Sequence, residues 1–156
     1  MWIERVTIAT TPERMGALGA RLGRVMAVGD VVALIGPLGT GKTTLAQGIA
    51  AGLEVPTDRH VASPTFALVN EHPGRVPFIH ADFYRVAVPE ELRELGLEEA
   101  YDRGAAALEW ADRFPQMLPA DHLEITLSTV ADGARQLLVR PRGPRGAVLA
   151  DALLQE

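Results

Sequence analysis

The chemistry of this chain concentrates in one run, Gly36-Pro37-Leu38-Gly39-Thr40-Gly41-Lys42-Thr43-Thr44. It fits G-x-x-x-x-G-K-S/T, a loop whose backbone amides cradle phosphate oxygens. Each residue type has a reason. Gly36, Gly39 and Gly41 let N–H groups converge on an anion and tolerate unusual dihedrals. Lys42 supplies a cation for the β- and γ-phosphates, and the Thr43 hydroxyl is a hard oxygen suited to Mg2+. A helix starting here points its unpaired N–H groups and positive dipole end at the same phosphates. The expected nucleotide contacts in this run are Pro37, Leu38, Gly39, Thr40, Gly41, Lys42, Thr43 and Thr44.

A magnesium–nucleotide site also needs a carboxylate at the end of a neighbouring buried strand. Asp82 stands just past the apolar run Val76 to His80, and Glu109 ends the run Ala105 to Leu108. In a parallel sheet both fall on the carboxyl edge, where ligands bind. Either carboxylate could orient the metal or its waters, and residue types alone leave that division open. Thr65, in Ser63-Pro64-Thr65-Phe66, reads both as a switch residue that would sense a γ-phosphate and as a simple capping or turn residue. His80, Tyr84 and Arg85 flank Asp82. Arg85 reads equally as a charge-neutralising group supplied in cis and as an ordinary surface arginine.

These residues need elements to hold them. Thr11-Pro12 predicts a helix start, with Thr11 as cap, and Met15, Leu18, Leu22, Val25 and Met26 fall on one helical face. Val31 to Ile35 is a strand buried on both faces, and Thr43 to Ala51 a helix. Phe66 to Val69 is a further strand. Glu90 to Leu95 and Leu97 to Tyr101 are short helices broken at Gly96. Leu123, Ile125 and Leu127 alternate with polar residues, then come the turn Ala131-Asp132-Gly133 and an apolar run from Gln136 to Arg140, a hairpin pattern. A short helix is expected after Pro144. Buried strands alternating with helices predict an α/β layered fold: a mostly parallel sheet flanked by helices, with an antiparallel hairpin at one edge.

The chain has 156 residues, which suggests one domain over residues 1–156. Cysteine is absent, so thiol chemistry and thiolate metal sites are excluded. The formal charge of −5 argues against a direct grip on DNA or other naked nucleic acid. Glu4 and Arg5 interrupt the opening segment where a secretion signal would run apolar, and no apolar run is long enough to span a bilayer. A cytoplasmic setting is the expectation.

The ordered set of the phosphate loop, Ser63-Pro64-Thr65-Phe66, His80-x-Asp82-x-Tyr84-Arg85 and Glu109-Trp110 resembles the TsaE (YjeE) family of small P-loop ATPases. Leu95-Gly96-Leu97-Glu98 fits the same family, and the likeness runs from about Thr11 to the hairpin. The resemblance implies a P-loop NTPase fold, ATP with Mg2+ as cofactors, and slow intrinsic hydrolysis. It further implies action with the TsaB–TsaD complex, which makes threonylcarbamoyladenosine in tRNA, so that contact with tRNA is indirect. By the same likeness Thr43 and Glu109 would hold Mg2+, Asp82 would serve hydrolysis, and Thr65 would belong to a switch-like loop. Trp110 would lie near the nucleotide and Thr10 and Thr11 near the adenine. Ala111-Asp112 departs from a commoner Pro-Glu.

Three alternatives are weaker. A small-molecule kinase would carry an Arg-rich lid, but Glu90 to Glu99 is acidic. A regulatory GTPase would carry Asn-Lys-x-Asp, which the sequence lacks. A tRNA-binding module would rest on Arg140-Pro141-Arg142-Gly143-Pro144-Arg145, the one locally basic run.

Overall fold

The computed structural model describes residues 2–59, 61 and 68–155. Among these, the elements in chain order are β1 (Arg5–Ala9), α1 (Pro12–Val25), β2 (Val31–Ile35), α2 (Lys42–Gly52), β3 (Val69–His72), β4 (Phe78–Asp82), α3 (Pro89–Glu94), α4 (Leu97–Ala100), β5 (Ala105–Glu109), β6 (Leu123–Thr129), β7 (Arg135–Pro141) and α5 (Pro144–Leu154). The strands form one mixed sheet in the order β1-β7-β6-β2-β5-β4-β3. Its centre, β6-β2-β5-β4, is parallel. The sequence VVALI of β2 and AAALE of β5 is buried on both faces, as an interior parallel strand requires.

Alternation in β2 sorts the core into two layers. Val32 and Leu34 join the cluster formed with α1, α2 and α5, while Val31 and Ala33 join the cluster under α3 and α4. The result is helix, sheet, helix. Register then sets up the site. Glu109 pairs with Asp82 on one side and Leu34 on the other, so both acids reach the edge where the chain leaves β2 for the phosphate loop.

Helices α1 and α2 touch backbone to backbone along a glycine seam. A Cβ added at Gly23 would lie 2.8 Å from the Gly52 Cα, and one at Gly19 would lie 2.9 Å from the Gly48 Cα. No other residue permits that approach, and it bolts the helix that starts at the phosphate loop to its neighbour. The loop end of α1 is capped as its sequence predicts, with the Arg14 amide donating to Thr11 Oγ1 at 3.0 Å. At the far end Arg75 donates to the carbonyls of Gly23 and Met26 at 2.6 and 3.0 Å, satisfying the last turn.

Several expectations shift. Strand β1 pairs antiparallel with β7, and β3 pairs antiparallel with β4, so antiparallel edges flank the parallel centre on both sides. Val25 lies 41% exposed, because α1 ends there and its last residue turns off the core face. Phe66 and Ala67 lie outside the described residues, and the strand expected there is described from Val69. Among the described residues no helix is long and apolar enough to cross a membrane.

The seam makes a prediction. Gly23→Ala gains about 1 kcal/mol of helix propensity at most but forces backbone apart at a cost of up to ~3 kcal/mol. Its thermal midpoint should fall by roughly 4–8 °C. Gly16→Ala, where an added Cβ meets nothing within 4 Å, should show no fall in a parallel melt.

Candidate nucleotide site

The phosphate loop is built by backbone geometry. Gly36 has φ 147 and Gly41 has φ 98, the latter as the N-cap of α2. At Gly36 an added Cβ would stand 2.5 Å from the Leu127 carbonyl oxygen, so the loop leaves β2 pressed against β6. Thr40 is buried and its hydroxyl donates to the Pro37 carbonyl at 2.8 Å, closing the turn.

Lys42 is only 5% exposed. Its ammonium donates to the carbonyls of Gly36 at 2.7 Å and Pro37 at 2.8 Å, inside the loop it serves. The Trp110 ring lies against it, 4.5 Å from Nζ to centroid. Burial lowers the Lys42 pKa, opposed by the charges of Glu109, Asp82 and Asp112. Trp110 adopts φ 57, a left-handed conformation that costs a bulky residue about 1–2 kcal/mol. That conformation turns the indole back into the site, where it also packs on Tyr84 at 4.8 Å.

Glu109 is 2% exposed and accepts two hydrogen bonds. The Thr43 hydroxyl donates to Oε1 at 2.9 Å, and His80 Nε2 lies 2.6 Å from Oε2. Asp82, one strand away, accepts from the Tyr84 amide at 2.9 Å, a local turn that holds its carboxylate at the strand end. Among the described residues no three His, Asp or Glu side chains form a protein-only metal cage. Thr43 and Glu109 instead offer two hard oxygens, the kind of partial set magnesium accepts when phosphates and water complete its shell.

These groups line a single pocket of about 680 Å³. It gathers Leu38, Gly39, Gly41, Lys42, Thr43 and Thr44 of the loop with Asp82, Glu109 and Trp110, and is lined as well by Thr10, Thr11 and Met15. Arg85 lines it as well. Of the expected contacts, Pro37 and Thr40 do not line the pocket, being used within the loop itself. Thr65 lies outside the described residues.

Arg135 is a wall that sequence reasoning missed. It donates to the Gly133 carbonyl at 2.6 Å and the Gly39 carbonyl at 3.0 Å, tying the hairpin turn to the loop tip. The hairpin was visible, but not that β6 lies beside β2, which brings that turn to the loop edge. The basic run is neutralised within the chain. Arg140 pairs with Glu4 at 2.6 Å, Arg142 with Glu124 at 3.4 Å, and Arg145 with buried Asp30 at 2.8 Å.

Together the layered sheet, the glycine loop after β2 and the acids at the next two strand ends define a P-loop NTPase-like protein. Residues 9–137 match the family described as "Threonylcarbamoyl adenosine biosynthesis protein TsaE", and the chain belongs to that family. Curated proteins named "tRNA threonylcarbamoyladenosine biosynthesis protein TsaE" are similar over most of the chain. That of Nostoc sp. is 38% identical over 80% of this chain and 78% of its own. That of Bacillus subtilis is 35% identical over 91% of this chain and 89% of its own. Among solved structures, Bacillus subtilis YdiB superposes with a TM-score of 0.82 at 28% identity, covering 98% of this chain and 95% of its own.

The contact between Lys42 and Trp110 yields an optical test. The chain has two tryptophans, so Trp2→Phe leaves Trp110 as the sole indole reporter. Nucleotide that draws Lys42 off the ring should change its emission, and Lys42→Ala should abolish the response. Unchanged emission at a nucleotide concentration that calorimetry shows to be saturating would refute this placement.

Proposed function

We propose that this protein binds ATP with magnesium and hydrolyses it in support of tRNA threonylcarbamoyladenosine biosynthesis, acting with the TsaB–TsaD complex. The observation that carries the nucleotide reading is the 2.9 Å bond from Thr43 to Glu109. It joins the phosphate loop to a strand-end carboxylate, the two halves of a metal–phosphate site. The tRNA pathway is the one printed in the names of the family and of its relatives. A link to tRNA through other proteins is in keeping with the paired state of Arg140, Arg142 and Arg145.

In this reading the loop amides and the start of α2 receive the β- and γ-phosphates. Lys42 exchanges two neutral carbonyls for charged phosphate oxygens, a stronger class of hydrogen bond. Thr43 and Glu109 would hold magnesium, which would supply charge stabilisation at the phosphate oxygens. Asp82 orients the attacking water in line with the γ-phosphorus. The water oxygen bonds to that phosphorus as the bond to the β-phosphate oxygen breaks, and both water hydrogens leave on the phosphate, giving ADP and dihydrogen phosphate. Thr10 and Thr11 line the same pocket, and the base would lie beside them. A cytoplasmic setting belongs to the same proposal.

The test is ATP turnover with and without purified TsaB–TsaD. Turnover should be slow alone and faster with the complex. Lys42→Ala should lower it by about 100-fold or more. Equal and fast rates in both conditions would contradict the dependence on partners, and wild-type turnover by Lys42→Ala would contradict the site.

A further inference from the structure

His80 lies at the heart of β4 with no exposed surface. Its Nε2 lies 2.6 Å from Glu109 Oε2, and its Nδ1 has no hydrogen-bond partner. Two lone pairs facing at that distance would repel, so the proton sits on Nε2 and is donated to the carboxylate. The ring is fixed in plane by Phe78, stacked at 5.7 Å and 18°, which is itself stacked on His72 at 6.1 Å. Register explains how the contact is possible. His80 pairs across the strands with Ala107, and Asp82 pairs with Glu109. The small side chain of Ala107 leaves the imidazole room to reach diagonally to Glu109.

We infer that His80 is a positioning residue that fixes the rotation of the Glu109 carboxylate, and so sets how strongly magnesium tightens nucleotide binding. The inference rests on the metal–nucleotide reading above and names a group that reading did not use. The terminal torsion of a glutamate is broad and two-fold, so a carboxylate held at one oxygen only can turn. Here both oxygens are committed, Oε2 to His80 and Oε1 to Thr43. With Oε2 held back in the strand layer, Oε1 is the oxygen presented toward the start of α2. Among the described residues His80 is hydrogen-bonded to Glu109 and stacked on Phe78, with no hydrogen bond to the loop, so its effect should reach the metal and spare the phosphate cradle. Groups that orient a ligating side chain in this way commonly account for 10- to 100-fold in metal affinity.

The experiment compares binding of AMP-PNP by calorimetry in EDTA and in Mg2+, with the ratio of the two dissociation constants taken as the metal gain. In His80→Leu, which keeps volume but removes the donor, binding in EDTA should stay within about twofold of wild type. The metal gain should fall about 10-fold or more. His80→Gln, whose amide N–H can take the place of Nε2–H, should recover most of the gain. The wild-type protein offers a check that needs no variant: long-range proton–nitrogen NMR should find the His80 proton on Nε2. A full metal gain in His80→Leu, an equal loss in EDTA and Mg2+ for both variants, a proton on Nδ1, or a wild type without any metal gain would each overturn the inference. Wild type that binds no AMP-PNP in either condition would instead overturn the nucleotide reading beneath it.

Discussion

A carboxylate that is 2% exposed at the end of an interior strand is the constraint around which this molecule is arranged. A buried charge is tolerable only when its hydrogen bonds are made. Glu109 obtains its two donors from opposite neighbours, His80 on β4 and Thr43 at the start of α2. That demand accounts for the strand order at the centre. β5 must lie between β2, which delivers the loop, and β4, which delivers the imidazole. It also accounts for the alanines of β5, which leave space for the larger side chains that converge on its last residue.

The loop is held as firmly as the acid. The glycine seam ties α2 to α1 through backbone contact, and Arg135 holds the loop tip from the hairpin side. Strain is gathered where these supports meet. Trp110 keeps a left-handed backbone directly after Glu109, and the indole it turns inward covers the buried Lys42 ammonium. Non-glycine residues in that conformation persist where surrounding packing over-determines them, which is common beside functional sites. Lys42 meanwhile satisfies itself on loop carbonyls. The loop thus holds its own cation, with two neutral carbonyls as acceptors.

Much of this was legible from residue order because the decisive signals are local. The phosphate loop is a contiguous pattern, and Asp82 and Glu109 announce themselves as acids that end apolar runs. The hairpin and the cap at Thr11 are likewise short-range features. What escaped depends on which strands become neighbours. β1 exposes Val6 and Ile8, so its alternation carries no core signal, and only pairing with β7 makes it a strand. Arg135 is far from Gly39 in the chain and meets it only because β6 lies beside β2. His80 was visible as a flank of Asp82, but its bond to Glu109 follows from cross-strand register. The basic run Arg140 to Arg145 misleads for the same reason, since its carboxylate partners Glu4, Glu124 and Asp30 come from elsewhere in the fold.

On the proposed reading, a phosphate cradle and a buried carboxylate, joined through Thr43, would form a metal–nucleotide centre. The most direct measurement is a crystal structure with AMP-PNP and Mn2+, with manganese located by anomalous scattering. The account predicts the triphosphate on the amides of the loop and the manganese peak at Thr43 and Glu109. Manganese at any other place, or nucleotide bound away from the loop, would contradict it.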